Sequence, residues 1–299
     1  MALTMAQAAA RETKNQVRRG ALEIGHAVST VWDRLPFESI QGNAYAYDKD
    51  RVLPGTAFRT VNEAYVESTG TVNQATETLV ILGGDADVDR FLEKTMPSDL
   101  GVLMADQVKM KIESAQSTYV DAMFNGDTDV RDPKEFDGLR KRLVNEQVID
   151  AQATLSDDKF LEDLDVLFEA VNGGPDVVYT GRKSLAKLKA LGRRAGGAEY
   201  VNSEITGKRE WTWNGVSFVN PGNHWSGRPI LDDSEMFAVR FAQSFGDEGV
   251  MGITNGGLQA YKIGEMAERP AYRTRIEFYS GLVVQGGHAA ARLRNIRAQ

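Results

Sequence analysis

The chain has 299 residues, 42% hydrophobic and 26% charged, with a net charge of −7 and no cysteine. That balance excludes a disordered or collagen-like chain. The missing thiols exclude disulfides, thiolate metal sites and cysteine nucleophiles, and the negative charge excludes a surface that grips nucleic acid all over.

Residues 1 to about 33 are rich in Ala, Gln, Arg and Thr and read as a partly helical arm. Its first twenty residues are basic, with Arg11, Lys14, Arg18 and Arg19 against one acid, Glu12. Met1 to Ala10 lack the basic residue and apolar core of a cleaved secretory signal, so synthesis in the cytoplasm is expected. From Gln41 to Leu82 the texture becomes strand-like, with alternation at Tyr45/Tyr47 and Phe58/Thr60 and apolar Val72, Ala75, Leu79 and Ile81 among polar residues. Pro54-Gly55 and Gly70 break the stretch. A two-stranded ribbon with few residues for a core of its own is marginal in water. It either folds back on its own domain or is covered by a neighbouring copy.

Pro97, Ser98 and Asp99 open the strongest helix, with Ser98 placed as its N-cap. Leu100, Leu103, Met104, Val108, Ile112, Ala115, Tyr119 and Met123 trace one apolar face until Asn125-Gly126. At 1.5 Å per residue this spine is roughly 39 Å long. A second helix is expected after Asp132-Pro133, carrying Phe136, Leu139, Leu143 and Val144, and a third after Ser156, carrying Phe160, Leu164, Leu167, Phe168 and Val171 and ending at Asn172-Gly173-Gly174. A strand at Val177 to Tyr179 leads to a fourth helix with Leu185, Leu188 and Leu191, and strand–helix alternation is expected onward through Trp211 to Val219 and Met236 to Phe245. The third helix is acidic (Asp157, Asp158, Glu162, Asp163, Asp165, Glu169) and the fourth basic (Arg182, Lys183, Lys187, Lys189, Arg193, Arg194), which makes complementary patches available to neighbouring subunits. Tyr272 to Val284 reads as two strands around Gly281, and Arg292, Arg294 and Arg297 make a basic C-terminus. No window reaches the about 18 apolar residues of a membrane-spanning helix, so no membrane partner is expected.

Chemistry is sparse. His26, His224 and His288 stand far apart with no partner at metal-ligand spacing. There is no G-x-S-x-G elbow, and Gly207-Lys208 lacks the upstream glycine of a phosphate loop. Asp85, Asp87 and Asp89 alternate as in a calcium loop, but Arg90 and Met96 occupy the positions that need glycine and glutamate. One of the three aspartates is expected to cap a short helix at Val88 to Lys94. No catalytic residue, cofactor or metal is expected.

Leu82-Gly83-Gly84-Asp85-Ala86-Asp87-Val88-Asp89 ahead of a long helix, then Phe124-Asn125-Gly126-Asp127, then Glu135-Phe136-Asp137-Gly138-Leu139, resembles tailed-bacteriophage major capsid proteins of the Hong Kong 97-type fold. The resemblance implies an α+β fold. Its parts would be an N-terminal arm (1–33), an extended loop with its flanks (34–82), a peripheral domain (83–151 and 263–286) with the spine helix at 98–124, and an axial domain (152–262 and 287–299). It implies a virion protein that self-assembles into pentamers and hexamers of an icosahedral head around double-stranded DNA, with a portal, usually a scaffolding protein, and in some cases a decoration protein. Since the chain starts almost directly with the arm, a separate scaffold or none is expected.

The subunit-contact candidates on the extended loop are Lys49, Arg51, Phe58, Arg59 and Tyr65; the DNA-facing candidates are Arg11, Lys14, Arg18 and Arg19. Some members of the family join a lysine of the extended loop to an asparagine of a neighbour. Lys49 is the only lysine between residues 15 and 93, so it is the one candidate, and nothing in its context identifies the asparagine. An encapsulin-like compartment shares the fold and is the alternative; a soluble α+β enzyme is a third reading with no positive feature behind it.

Overall fold

A computed structural model describes residues 30–95, 100–152, 156–195, 198–202 and 209–296. The four arm residues Arg11, Lys14, Arg18 and Arg19 and the expected cap Ser98 lie outside the described residues. The chain enters through α1 (Thr30–Arg34), a short helix that crosses the expected end of the arm and is core in character. Its Val31 and Trp32 are buried, and the Trp32 ring lies 5.2 Å from Phe37, 5.2 Å from Phe278 and 5.4 Å from Tyr119.

Next come β1 (Phe37–Ser39), the ribbon strands β2 (Ala44–Val52) and β3 (Thr71–Thr78), then β4 (Val80–Asp89), α2 (Arg90–Thr95) and the spine α3 (Leu100–Asn125). As expected, an aspartate caps the short helix: the Phe91 backbone N–H donates to Asp89 at 2.7 Å. The spine has the expected length and face, but its burial is uneven. Ile112, Tyr119 and Met123 are buried, whereas Met104 and Val108 are half-exposed and Met110 is exposed.

After the spine the structure departs from the expected helix. Only α4 (Leu139–Arg142) and a 3-10 turn (Asn145–Gln147) form. The reason is a backbone crossing: Gly138 N–H donates to Gly126 O at 2.9 Å, and a Cβ on Gly126 would stand 2.3 Å from the Phe136 carbonyl oxygen. Two glycines are needed for that approach, and with Gly138 extended the helix begins only at Leu139. Then follow β5 (Val148–Asp150), α5 (Asp157–Glu169), whose cap Ser156 accepts from the Lys159 N–H at 3.1 Å, β6 (Val177–Thr180) and α6 (Arg182–Ala195).

The expected strand–helix alternation stops there. β7 (Ala198–Asn202), β8 (Arg209–Trp213), β9 (Val216–Val219) and β10 (Met236–Val239) follow with no further helix among the described residues. β8 and β9 form a hairpin through Asn214-Gly215, both at positive φ, which is the geometry a two-residue turn requires. The chain ends with β11 (Gly249–Glu265), β12 (Ala271–Gln285) and β13 (Ala290–Arg294). β12 is one continuous strand, not two around Gly281. That glycine instead lets neighbours approach: its carbonyl accepts from the Tyr119 hydroxyl at 3.2 Å, and a Cβ there would meet Ile253 at 3.0 Å.

Two sheets organise these strands. One has the order β1-β11-β12-β4, the other β5-β13-β10-β6-β9-β8-β7, and β2-β3 is a separate ribbon. β11 lies wholly in the four-stranded sheet, so the expected division at 262/263 falls inside a strand. One core runs from Ile276, Phe278 and Leu282 of the first sheet, through Ile112, Tyr119 and Phe124 of the spine, to Val177, Tyr179 and Phe237 on one face of the second. The opposite face of the second sheet, with Val178, Met236, Ala238 and Leu293, is covered by Phe160, Leu164 and Leu167 of α5 and Leu188 and Leu191 of α6.

Candidate assembly surfaces

The ribbon has a docked base and a free tip. Its strands pair from Ala44↔Thr78 to Val52↔Thr71, with a bulge between Asp48 and Asp50 that leaves Lys49 without a cross-strand partner position. The base lies on Met251, Ile253 and Val283 through Tyr47, with Tyr45 and Ala75 beside it. Tyr45 stands 4.4 Å from Phe245 and its hydroxyl accepts from Gln285 at 3.1 Å. Glu77 takes both Arg142 nitrogens, one at 2.8 Å, and accepts from the Tyr47 hydroxyl at 3.2 Å. Burial, and then the neighbouring Glu77 carboxylate, push the Tyr47 phenol up to about 12.

Beyond the base, residues 53–70 cover nothing and are covered by nothing among the described residues. Leu53, Phe58, Val61, Tyr65 and Val66 are all exposed, Phe58 completely. The tip is nonetheless shaped. Gly55 N–H donates to Ser68 Oγ at 2.7 Å, the Thr60 N–H and hydroxyl both donate to Glu63 at 2.9 Å, and the Arg59 guanidinium sits 4.9 Å over the Tyr65 ring. The Thr60 backbone bond holds the Glu63 carboxyl below its usual value. Covering one such apolar side chain yields about 1.5–3 kcal/mol, and five of them stand uncovered at the tip.

Of the contact candidates, Phe58, Arg59 and Tyr65 therefore converge on the tip, while Lys49 and Arg51 stand on β2 and their side chains lie outside the described ones. Asp85 and Asp87, the aspartates tested for calcium, lie on β4 facing arginines of β12. Asp85 takes two bonds from Arg275, at 2.7 and 2.9 Å, and Asp87 two from Arg273, both at 2.7 Å. These bonds hold both carboxyls below the usual carboxylate range. The matching i, i+2 spacing of Arg273/Arg275 was the signal available in the sequence.

Two more ionic centres join distant segments. Asp121, fully buried on the spine, pairs with Arg131 and Arg228, the latter at 2.5 Å, and accepts from Asn125 at 2.9 Å. Glu235 pairs with Arg140 and with Arg292, the latter at 2.8 Å. Two open clefts, of 540 and 620 Å³, flank the ribbon base and share Gly286, Gly287 and His288. The Glu77 and Arg142 of the first satisfy each other. Among the described residues no three His, Asp or Glu side chains come together to hold a metal ion, and no helix is long and apolar enough to cross a membrane.

A docked base, an uncovered apolar tip and a spine between two sheets are the parts of the Hong Kong 97-type fold. Comparison with known proteins agrees. Residues 38–159 match the model of the family described as Major capsid protein GP7. Among solved structures, the chain is similar to the SrpI encapsulin of Synechococcus elongatus PCC 7942 (17% identity, TM-score 0.65, covering 100% of this chain and 97% of that one). It is also similar to a chain of Microbacterium phage Oxtober96 (13%, TM-score 0.61, 97% and 98%) and to the capsid of a native GTA particle (12%, TM-score 0.65, 96% and 95%). None of the curated proteins matches. These likenesses to solved structures show the fold of this chain.

Proposed function

We propose that this chain assembles with copies of itself into pentamers and hexamers, and these into an icosahedral head around double-stranded DNA, without catalysing a reaction. The observation that carries this is the ribbon tip: five large apolar side chains held out on a shaped loop whose base is clamped to the body by the Glu77–Arg142 pair and the Tyr45 and Tyr47 rings. A neighbouring subunit is the occupant such a tip needs. Phe58, Arg59 and Tyr65 are its contact residues, with Lys49 and Arg51 further down the strand. The functional parts are the arm, the extended loop, a peripheral unit formed by the spine and the four-stranded sheet, and an axial unit built on the seven-stranded sheet.

Arg11, Lys14, Arg18 and Arg19 face the interior and meet packaged DNA through its phosphates, independently of sequence. A portal, and a scaffolding protein where one is used, complete the assembly, and a decoration protein, where one is used, binds outside. The similarity to an encapsulin supports a second reading, a compartment filled with protein cargo; the contents of purified particles, nucleic acid or protein, separate the two. Because Val52 and Thr71 are cross-strand partners, residues 53–70 can be replaced by a two-residue Asn-Gly turn that closes the hairpin. That variant is expected to keep its circular dichroism and melting temperature and to lose assembly. Normal shells from it would remove the tip from the assembly mechanism.

A further inference from the structure

The two helices on the outer face of the seven-stranded sheet carry ridges of opposite sign and equal spacing. On α5, Asp158, Glu162, Asp165 and Glu169 recur along one stripe opposite the buried Phe160, Leu164 and Leu167, and all four are exposed. On α6, Arg182, Lys189 and Arg193 recur at i, i+7 and i+11, the same offsets as Asp158, Asp165 and Glu169. Each ridge is roughly 16 Å long at 1.5 Å per residue.

Within one subunit the ridges are not spent on each other. The helices touch through other residues: Arg194 pairs with Asp157 at 3.0 Å, and the Lys187 ammonium lies 5.3 Å over the Phe160 ring. Among the described residues Asp158, Asp165 and Glu169 make no ion pair, nor do Arg182, Lys189 and Arg193; Glu162 has Lys159 at 3.2 Å. Their placement is directional. α5 packs over β13, next to one end of the sheet, and α6 over β7, the strand at the other end. An exposed apolar residue accompanies each ridge: Val166 on α5, and Tyr200 and Val201 on the edge strand β7. The β7 side also bears exposed Arg209, with Glu199 as the exposed acid of that strand. Apolar residues rimmed by charge, negative on one side and positive on the other, are the anatomy of a head-to-tail contact between identical subunits.

We infer that the α5 ridge of one copy of this chain seats against the α6–β7 ridge of the next, so that charge complementarity sets the rotation and order of subunits around a ring. The inference rests on the shell-forming reading and adds to it which two surfaces meet. It also gives the contact a polarity: one ring has as many acid-to-base joints as subunits, all of one kind. Closed rings follow where the rotation between neighbours closes. The joint is salt-sensitive, because the charges are exposed and are screened at high ionic strength.

Charge reversal tests it. E162K/D165K/E169K turns the acidic ridge basic, and R182E/K189E/R193E turns the basic ridge acidic. Asp158 is kept in the first turn of α5, and glutamate at position 182 suits the start of α6, so both variants are expected to fold, as checked by circular dichroism and melting. Each alone at low salt should raise the protein concentration needed for assembly roughly tenfold or more, since like charges then face each other. The combined variant E162K/D165K/E169K/R182E/K189E/R193E, in which every joint is again opposite in sign, should regain assembly, and an equal mixture of the two triple variants should co-assemble into rings with an even number of subunits. Folded triple variants that assemble like the parent at low salt would overturn the inference and leave the shell reading intact, as would a folded combined variant that stays unassembled. A parent protein that never assembles would overturn the shell reading itself.

Discussion

Arg142→Met removes the cation that clamps the ribbon base and leaves Glu77 in place. The Arg142 side chain is 12% exposed and that of Glu77 18%, so the pair is largely out of water. Removing one partner of a buried pair costs about 3–5 kcal/mol, because the remaining charge is stranded, and the residual exposure puts this site near the lower end, about 3 kcal/mol. Tyr47 still donates to Glu77 and part of the base still packs on Met251 and Val283, so the loss is local opening and not global unfolding. Three kcal/mol corresponds to roughly a hundredfold in the opening equilibrium. Hydrogen exchange of Ala44–Val52 and Thr71–Thr78 should accelerate by about that factor, while the Tyr119–Phe124 stretch of the spine keeps its protection. Glu77→Met added to Arg142→Met eliminates the stranded carboxylate and should recover part of the loss. Unchanged ribbon exchange in the single variant, or a double variant worse than the single, would refute the clamp.

Three further outcomes are expected. Trp32→Ala, which removes the ring shared by Phe37, Tyr119 and Phe278, should cost about 3–5 kcal/mol in denaturant unfolding; a loss below about 1 kcal/mol would mean that α1 is peripheral to the core. Gly126→Ala forces a methyl against the Phe136 and Ala122 carbonyls, so it should destabilise by about 3 kcal/mol, whereas Gly42→Ala, with open space around it but a positive φ, should cost less. Asp85 and Asp87 have folded pKa values lowered by Arg275 and Arg273, so their contribution is present above the unfolded value of about 3.9 and is lost as pH falls through the folded values. Melting temperature followed from pH 7 downward should therefore drop more steeply below about pH 4 in the parent than in D85N/D87N; identical acid limbs would assign the acid sensitivity elsewhere.

What was legible in the sequence was local. The spine announced itself through a 3.6-residue period over seven turns, the ribbon through alternation without a core, and α5 through Ser156 and the glycines behind it. Motif order then pointed to the fold. What stayed hidden depended on partners far along the chain. Nothing near Asp121 indicates Arg228, nothing near Glu77 indicates Arg142, and nothing near the β4 aspartates, which Arg90 and Met96 already rule out as a calcium loop, places β12 opposite them. Glycines misled in both directions. Gly281 read as a break but marks a close approach inside a continuous strand, and Gly138, extended in the backbone crossing, holds the helix start back to Leu139 and leaves Phe136 outside it. Asn214-Gly215 carried a hairpin signal that the assumed helix alternation overrode.

Electron microscopy of the purified full-length protein is the most direct measurement. Closed shells, or rings of five and six with residues 53–70 lying on an adjacent subunit, are expected. A monodisperse monomer at high protein concentration, or shells in which that loop stays on its own body, would contradict assembly through the ribbon.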